Sequence, residues 1–227
     1  MNSFLKTSLP RRRRTPAQKS NFLPLTVWVY EDLWRKRSLG ILSRKPFSIE
    51  RELGMLSEWL KGSDQGAILD VGCSTGLYAR ALAREFPEAK MVAVDMSKPM
   101  LKQAEKRALK EGAGVEFVLA DAISLPFQEG QFDALTMGGT LNELGPDTEK
   151  VLQECSRVLK RDGLFFMMYL LRSEKKGGRI LQSLLTSGGL RFWSASEAKK
   201  LFSDMGFEQI RFEQYGVVAF SLLRKNM

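Results

Sequence analysis

The stretch "ILDVGCSTGLYARALA", residues 68–83, decides the fold. It opens as an apolar run closed by an acid, Asp70, passes two glycines, Gly72 and Gly76, set around three small residues, and ends in an apolar alternation of helical period. A strand that runs through such a turn into a helix brings bare backbone to the carboxyl edge of a sheet, where a ligand can approach it closely. The spacing excludes familiar ligands. A G-x-G-x-x-G fingerprint would put glycines at 72, 74 and 77, where Ser74 and Leu77 stand, which disfavours NAD and FAD. No Gly-Lys-Ser/Thr follows the loop, so it is not a phosphate-cradling P-loop either.

Working outward, strand and helix patterns alternate. "AILDV" (67–71), "MVAVD" (91–95), "VEFVLAD" (115–121), "FDALTM" (132–137) and "LFFMMYLL" (164–171) read as strands. Between them, "LYARALAREF" (77–86), "KPMLKQAEKRALKEG" (98–112, opened by Ser97 and closed near Gly112) and "DTEKVLQECSRVLKRDG" (147–163) read as helices. This order predicts an α/β fold, a Rossmann-like doubly wound and mostly parallel sheet with helices on both faces. Further on, "RILQSLLTSGG" (179–189) is a short helix, and "SASEAKKLFSDMG" (194–206) is a helix with a Ser194/Glu197 capping box. The tail gives two strands broken at Tyr215 and Gly216, an antiparallel hairpin at the sheet edge that brings the strand count to seven. Upstream, one helical pattern puts Val27, Tyr30 and Trp34 on a face, and a second repeats Ile49, Leu53, Leu56 and Leu60 between Ser48 and Gly62.

The chain has 227 residues, 44% of them hydrophobic, enough for one main domain. Of its formal net charge of +9, Lys6, Arg11, Arg12, Arg13, Arg14 and Lys19 supply six charges before the first acid, Glu31, leaving +3 for the rest. Residues 1–24 therefore read as a basic, disordered leader, 25–64 as a small helical cap, and 65–227 as the main domain with a cap insertion near 171–193. The leader is either a solvated tail or a contact for an anionic membrane, nucleic acid or a targeting receptor. Two cysteines without a pairing pattern suggest a reducing compartment and cytoplasmic localisation, with membrane association or organellar targeting by the leader left open. No apolar run reaches the ~20 residues of a membrane span. The chain has no histidine, which removes Ser-His and Cys-His nucleophile arrangements and imidazole-built zinc sites; no metal site is expected.

Three strands in succession end in an acid: Asp70, Asp95 and Asp121. A carboxylate at the second strand end can accept hydrogen bonds from both ribose hydroxyls. Phosphates would not favour so much negative charge, whereas a cationic nucleoside would. Here "ILDVGCSTGLYARALA", "VAVDMSKPMLKQAE", "ADAISLPFQEGQFDALTM" and "VLQECSRVLKRDGLFFM" resemble, in order and spacing, the motifs of class I S-adenosylmethionine-dependent methyltransferases from about Ala67 to Tyr169. A weaker match continues in "FWSASEAKKLFSDMGFEQI", and "LPF" with "RVLK-x-DG" is similar to the small-molecule and quinone-biosynthesis branch. The resemblance implies S-adenosyl-L-methionine as cofactor and S-adenosyl-L-homocysteine as its product. It places Asp70, Gly72 and Gly76 around the methionine part, Asp95 at the ribose, Met96 on an adenine face, and Asp121 with Ala122 at the adenine edge, with Cys73 and Gly138 also counted as cofactor-binding.

Methyl transfer needs an acceptor held in line behind the methyl carbon, and a base only where the acceptor proton is hard to lose. The segment "TMGGTLNELGPD" (136–147) faces that position. Asn142 either orients an acceptor or makes a turn, and Glu143 is either a base raised by burial or a solvated carboxylate. Tyr30, on an aromatic stripe that is either core or pocket roof, is the third candidate for acceptor contact. The cap and the insertion, both mixing Trp, Leu and Phe with Arg and Lys, point to a lipophilic or aromatic small-molecule substrate. An RNA methyltransferase, with nucleic acid an unlikely partner because the basic excess sits in the leader, and a non-catalytic cofactor-binding protein are the alternatives. Oligomeric state is left open.

Overall fold

The computed structural model describes residues 15–20, 22, 48–61 and 66–226. The Arg11 to Arg14 cluster and the stripe of Val27, Tyr30 and Trp34 lie outside the described residues. The elements run α1 (Pro16–Ser20), α2 (Ile49–Leu60), β1 (Ala67–Val71), α3 (Leu77–Glu85), β2 (Lys90–Asp95), α4 (Lys98–Glu111), β3 (Glu116–Leu119), β4 (Phe132–Gly138), α5 (Thr148–Val158), β5 (Leu159–Leu170), α6 (Lys176–Ser187), α7 (Ala195–Asp204), β6 (Phe207–Tyr215) and β7 (Val218–Lys225). Two short 3₁₀ turns, Thr140–Glu143 and Gly145–Asp147, join β4 to α5.

One seven-stranded sheet has the order β3-β2-β1-β4-β5-β7-β6. The β1–β2, β1–β4, β2–β3 and β4–β5 pairs are parallel, and the β5–β7 and β6–β7 pairs antiparallel, as the doubly wound reading with a terminal hairpin requires. The order reverses at β1, so β1 and β4 part at the edge where their carboxyl ends emerge, the place where such sheets bind ligands.

Strand pleating sorts the core into two layers. Leu69, Val71, Val92, Val94, Leu135 and Met137 face one side, packed with α5 and α7 residues such as Leu152 and Phe202. Ile68, Met91, Ala93, Ala134 and Phe166 face the other, against Leu56, Trp59, Leu82 and Leu101 of α2, α3 and α4. Trp59 and Tyr78 both meet the Phe166 ring edge-on, at centroid distances of 5.5 and 5.9 Å. Tyr78 donates its hydroxyl hydrogen bond to the buried Glu52 of α2.

Local signals set most helix ends. The Ser97 hydroxyl accepts from the Met100 N–H to open α4, Ser48 does the same for α2 through Arg51, and both halves of the Ser194/Glu197 capping box are formed. Three expectations need correction. The helix expected over 147–163 stops at Val158, because the fully buried Leu159 pairs with Phe132 as the start of β5; the register then jumps to Ala134 opposite Leu164. Part of the segment read as a loose leader is ordered: Thr15 and Gln18 exchange reciprocal bonds of 3.2 Å around Pro16, a capping box that starts α1, and Gln18 is 5% exposed. Finally, the insertion read as a cap does not turn its aliphatic residues inward. Ile180, Leu181, Leu184 and Leu185 of α6 are exposed, and Gln182 is the helix's buried residue.

No helix among the described residues is long and apolar enough to cross a membrane.

Candidate functional site

The glycine loop after β1 is pinned by its neighbours. Gly72 and Cys73 both donate to the Val94 oxygen at 2.9 Å, tying the loop to β2. Ser74, with φ of +51°, donates its N–H to Asp95 Oδ2 at 2.8 Å, and Ser97 donates to Asp95 Oδ1 at 2.7 Å. The Arg80 side chain, 3% exposed, reaches back from α3 to the Thr75 oxygen and also holds Glu111 at 3.1 Å. Loop, strand end and two helices are thereby locked together before any ligand arrives.

The two glycines serve different ends. Gly72 has φ of +71°, and a Cβ there would lie 2.8 Å from Thr140 Cγ2 and 3.0 Å from its Cβ; it lets the chain leaving β4 cross the loop. Gly76, at φ +76°, begins α3, and a Cβ there would press on Phe117 and Ala104 at 3.1 and 3.2 Å. Gly76 therefore admits α4 and β3 rather than lining the cleft.

A cleft at the carboxyl edge is lined by Gly72, Asp95, Met96, Asp121, Ala122 and Gly138, which brings together six of the residues expected at the cofactor. Asp70 and Cys73 line a smaller recess beside it that shares Gly72, Ser74 and Gly138. Asp70 is 2% exposed and accepts a 2.8 Å bond from the Thr136 hydroxyl, which fixes its carboxylate. Burial raises the Asp95 carboxyl to about 6, reinforced by the charge of Asp121 and opposed by the N–H groups of Ser97, Ser74 and Met96. Burial first, then the charges of Asp95 and Asp70, push the Cys73 thiol well above its ordinary range, so it stays neutral and is no nucleophile at pH 7.

Among the candidates for acceptor contact, Glu143 lines the cleft. Asn142 is 2% exposed and takes the turn-making role of the two open to it: its Nδ2 donates to the Leu170 and Arg191 oxygens at 2.9 and 2.6 Å, and its Oδ1 accepts from the Leu170 N–H at 2.8 Å. Tyr30 lies outside the described residues. Gln18, Ser74, Thr140 and Leu144 also line the cleft and were not expected there. Gln18 alone left a readable trace, the Thr15-Pro16-Ala17-Gln18 capping signature, and even that gives no hint of where the turn docks.

The donor set is informative as a whole. Among the described residues, the cleft lining holds Asp95, Asp121 and Glu143 and no lysine or arginine. A phosphate-rich ligand finds no counter-charge there, whereas a nucleoside with an attached cation finds carboxylates for both its hydroxyls and its charge.

This sheet order, with its antiparallel last hairpin, is the Rossmann-like fold of solved methyltransferases. Residues 68–163 match the family model described as a methyltransferase domain. A crystal structure of a SAM-dependent methyltransferase from Aquifex aeolicus superposes with a TM-score of 0.67 at 20% identity, covering 89% of this chain and 98% of that one. In sequence, the chain is similar to quinone-biosynthesis methyltransferases. It is 41% identical over 109 residues to the demethylmenaquinone methyltransferase of Thermotoga maritima, covering 48% of this chain and 45% of that protein. It is 29% identical over 179 residues to the ubiquinone/menaquinone biosynthesis C-methyltransferase of Desulfotalea psychrophila, covering 68% of this chain and 72% of that protein. The chain spans about half the length of most of the curated relatives it matches.

Proposed function

We propose that the chain is an S-adenosylmethionine-dependent methyltransferase whose acceptor is a lipophilic small molecule of quinone type. The observation that carries the cofactor is the cleft with carboxylates at successive strand ends and no cation; the acceptor class comes from similarity to the demethylmenaquinone methyltransferases. When bound, the cofactor supplies an electrophilic methyl carbon on a sulfonium. Asp95, whose two oxygens already take the Ser74 and Ser97 N–H groups, keeps further lone pairs for the two ribose hydroxyls. Met96, which lines the cleft, would cover one face of the base, and Asp121 with Ala122 would meet its edge. Asp70, held by Thr136, and the open backbone at Gly72 and Gly138 take the amino-acid part.

On the acceptor side, Glu143 and Thr140 line the cleft, and Glu143 would orient or deprotonate an acceptor hydroxyl or ring carbon. Asn142 acts through the turn it holds, as a positioning residue. Much of the rate then comes from alignment, which suits a chain with no histidine.

The reading is tested by titrating S-adenosylhomocysteine calorimetrically and then offering the labelled methyl donor with a demethylated naphthoquinone, a simple phenol and RNA. Binding with label transfer to the quinone supports it. Binding with transfer to RNA alone would replace the acceptor, and absence of binding would remove the cofactor as well.

A further inference from the structure

Helix α6 (Lys176–Ser187) is amphipathic with the wrong side out. Its one buried residue is polar: Gln182, 8% exposed, donates from Nε2 to the Leu171 oxygen at 2.9 Å and accepts at Oε1 from the Ser173 N–H at 2.7 Å. Those bonds moor the helix to the end of β5 without burying an apolar side chain. Ile180, Leu181, Leu184 and Leu185 are instead 59%, 52%, 68% and 38% exposed. At 3.6 residues per turn they fill an arc of about 140° that excludes Gln182. A helix stabilised by the core would show the opposite arrangement.

The charges around the stripe are one-sided. From Arg172 through Arg191, both included, the chain carries five basic residues and one acid, Glu174. Lys175, Lys176 and Arg179 cluster at the start of α6, all exposed, with no ion pair among the described residues. Of these, Lys176 borders the stripe beside Ile180, and Lys175 and Arg179 lie on the polar side of the helix; an apolar stripe with cations on its border and on the polar side of a short surface helix is the pattern of an element that lies in the headgroup layer of an anionic bilayer. A second copy of the chain fits less well. A helix of this length is roughly 18 Å long, and one face of it falls short of the about 800 Å² per partner that a stable dimer buries; a matching copy would also bring its own cationic border.

We infer that α6 is a membrane-docking helix, seating its leucine stripe in the acyl boundary of an anionic bilayer with Lys175, Lys176 and Arg179 on the headgroups. Its position gives docking a consequence. α6 follows β5 at the carboxyl edge of the sheet, the edge that holds the cleft, and the loop after it returns to the site. Gly189, at φ +97°, packs so tightly on Thr15 that a Cβ would lie 2.5 Å from the Thr15 Cβ, and Arg191 donates its N–H to the Asn142 oxygen at 2.8 Å. A bilayer under α6 therefore faces the cleft mouth, where a lipid-dissolved acceptor would enter. The docking itself does not depend on the methyl-transfer reading.

The test is co-sedimentation of the full chain with phosphatidylcholine vesicles, with and without phosphatidylserine. The wild-type chain is expected to bind the anionic vesicles, less so as salt rises. Leu181→Ser with Leu184→Ser should weaken that binding at least tenfold with an unchanged melting temperature, since both side chains are already exposed. Lys175→Glu, Lys176→Glu and Arg179→Glu together should weaken it on the order of a hundredfold at low salt. Ser in place of Arg11 to Arg14 should leave the dependence on Leu181 and Leu184 intact, which separates α6 from the basic leader. As an independent readout, tryptophan fluorescence of Leu184→Trp should shift to the blue on adding anionic vesicles. The inference is overturned if wild type does not sediment, if the leucine variant sediments like wild type, if binding is lost with the leader arginines alone, or if the stripe instead mediates a dimer that the leucine variant dissolves.

Discussion

The Gln18 side-chain amide donates to the Glu143 main-chain oxygen at 3.0 Å, joining residues 125 positions apart across the mouth of the cleft. The bond makes the short N-terminal turn a cover for the site. The enclosed space beneath it is about 70 Å³, whereas pockets that hold cofactor-sized ligands run to about 300 Å³ or more. If the cleft takes S-adenosylmethionine as proposed, the cofactor is expected to enter by displacing this turn.

Replacing Gln18 with Ala is expected to raise both the association and the dissociation rate of S-adenosylhomocysteine, since one bond of about 0.5 to 1.5 kcal/mol no longer holds the cover shut. Stopped-flow fluorescence reads both rates. Unchanged rates would mean that the ligand enters by another route.

Asn142→Ala removes three main-chain bonds from a nearly buried position. The expected loss is about 2 to 4 kcal/mol of stability, seen as a lower melting temperature. Asn142→Asp should be at least as damaging, because a carboxylate would face the Leu170 and Arg191 oxygens that now receive hydrogen bonds. An acceptor-binding role would give the reverse pattern, with turnover reduced and melting unchanged.

Asp95 supplies a pH dependence with a definite sign. Its carboxyl is raised from 3.8 to about 6 in the fold, so the folded apo protein takes up a proton as pH falls through 6, before the unfolded chain does. The charged form is a burden on apo stability above about 6, relieved between pH 6 and 4. A ligand that needs the carboxylate competes with that proton, so its affinity should fall by about tenfold per pH unit below 6. Calorimetric titrations from pH 8 to 5 check this, with Asp95→Asn as the control that binds weakly at every pH. A wild-type affinity that is flat to pH 5 would sink the assignment of Asp95 to the ribose.

Local signals carried the fold. Ala67 to Leu69 and Met91 to Val94 are short apolar runs followed by an acid, Asp70 and Asp95, and Ser97, Gly112 and Ser194 mark helix ends that the structure reproduces to within a residue. The gathering of six of the expected residues in one cleft was legible for the same reason, since a parallel sheet delivers consecutive strand ends to one edge. What escaped is non-local. Leu159 ends a helix because Phe132 pairs with it, and Asn142 meets oxygens 28 and 49 residues away. No periodicity encodes such partners. The insertion misled for a related reason: a leucine-rich helix implies burial unless a single polar residue, Gln182, has taken the inward position.

The crossing of Gly72 and Thr140 permits a test of the loop itself. Gly72→Ala faces two costs: a left-handed φ of +71° that an alanine resists by about 1 to 2 kcal/mol, and a Cβ that meets the Thr140 side chain. Thr140→Ala removes Cγ2 and Oγ1, which supply the worst of that contact, and also the 3.3 Å bond from Oγ1 to the Gly72 oxygen. Alone, Thr140→Ala should be mild, about 1 kcal/mol. Combined with Gly72→Ala it should be less damaging than the sum of the two, with a coupling of about 1 to 2 kcal/mol in favour of the pair. The backbone cost remains in the double variant, so stability should return only in part. Urea denaturation of the four proteins gives the cycle. Strict additivity would show that the Thr140 side chain yields freely to a new methyl group, and that Gly72 is required for its backbone conformation alone.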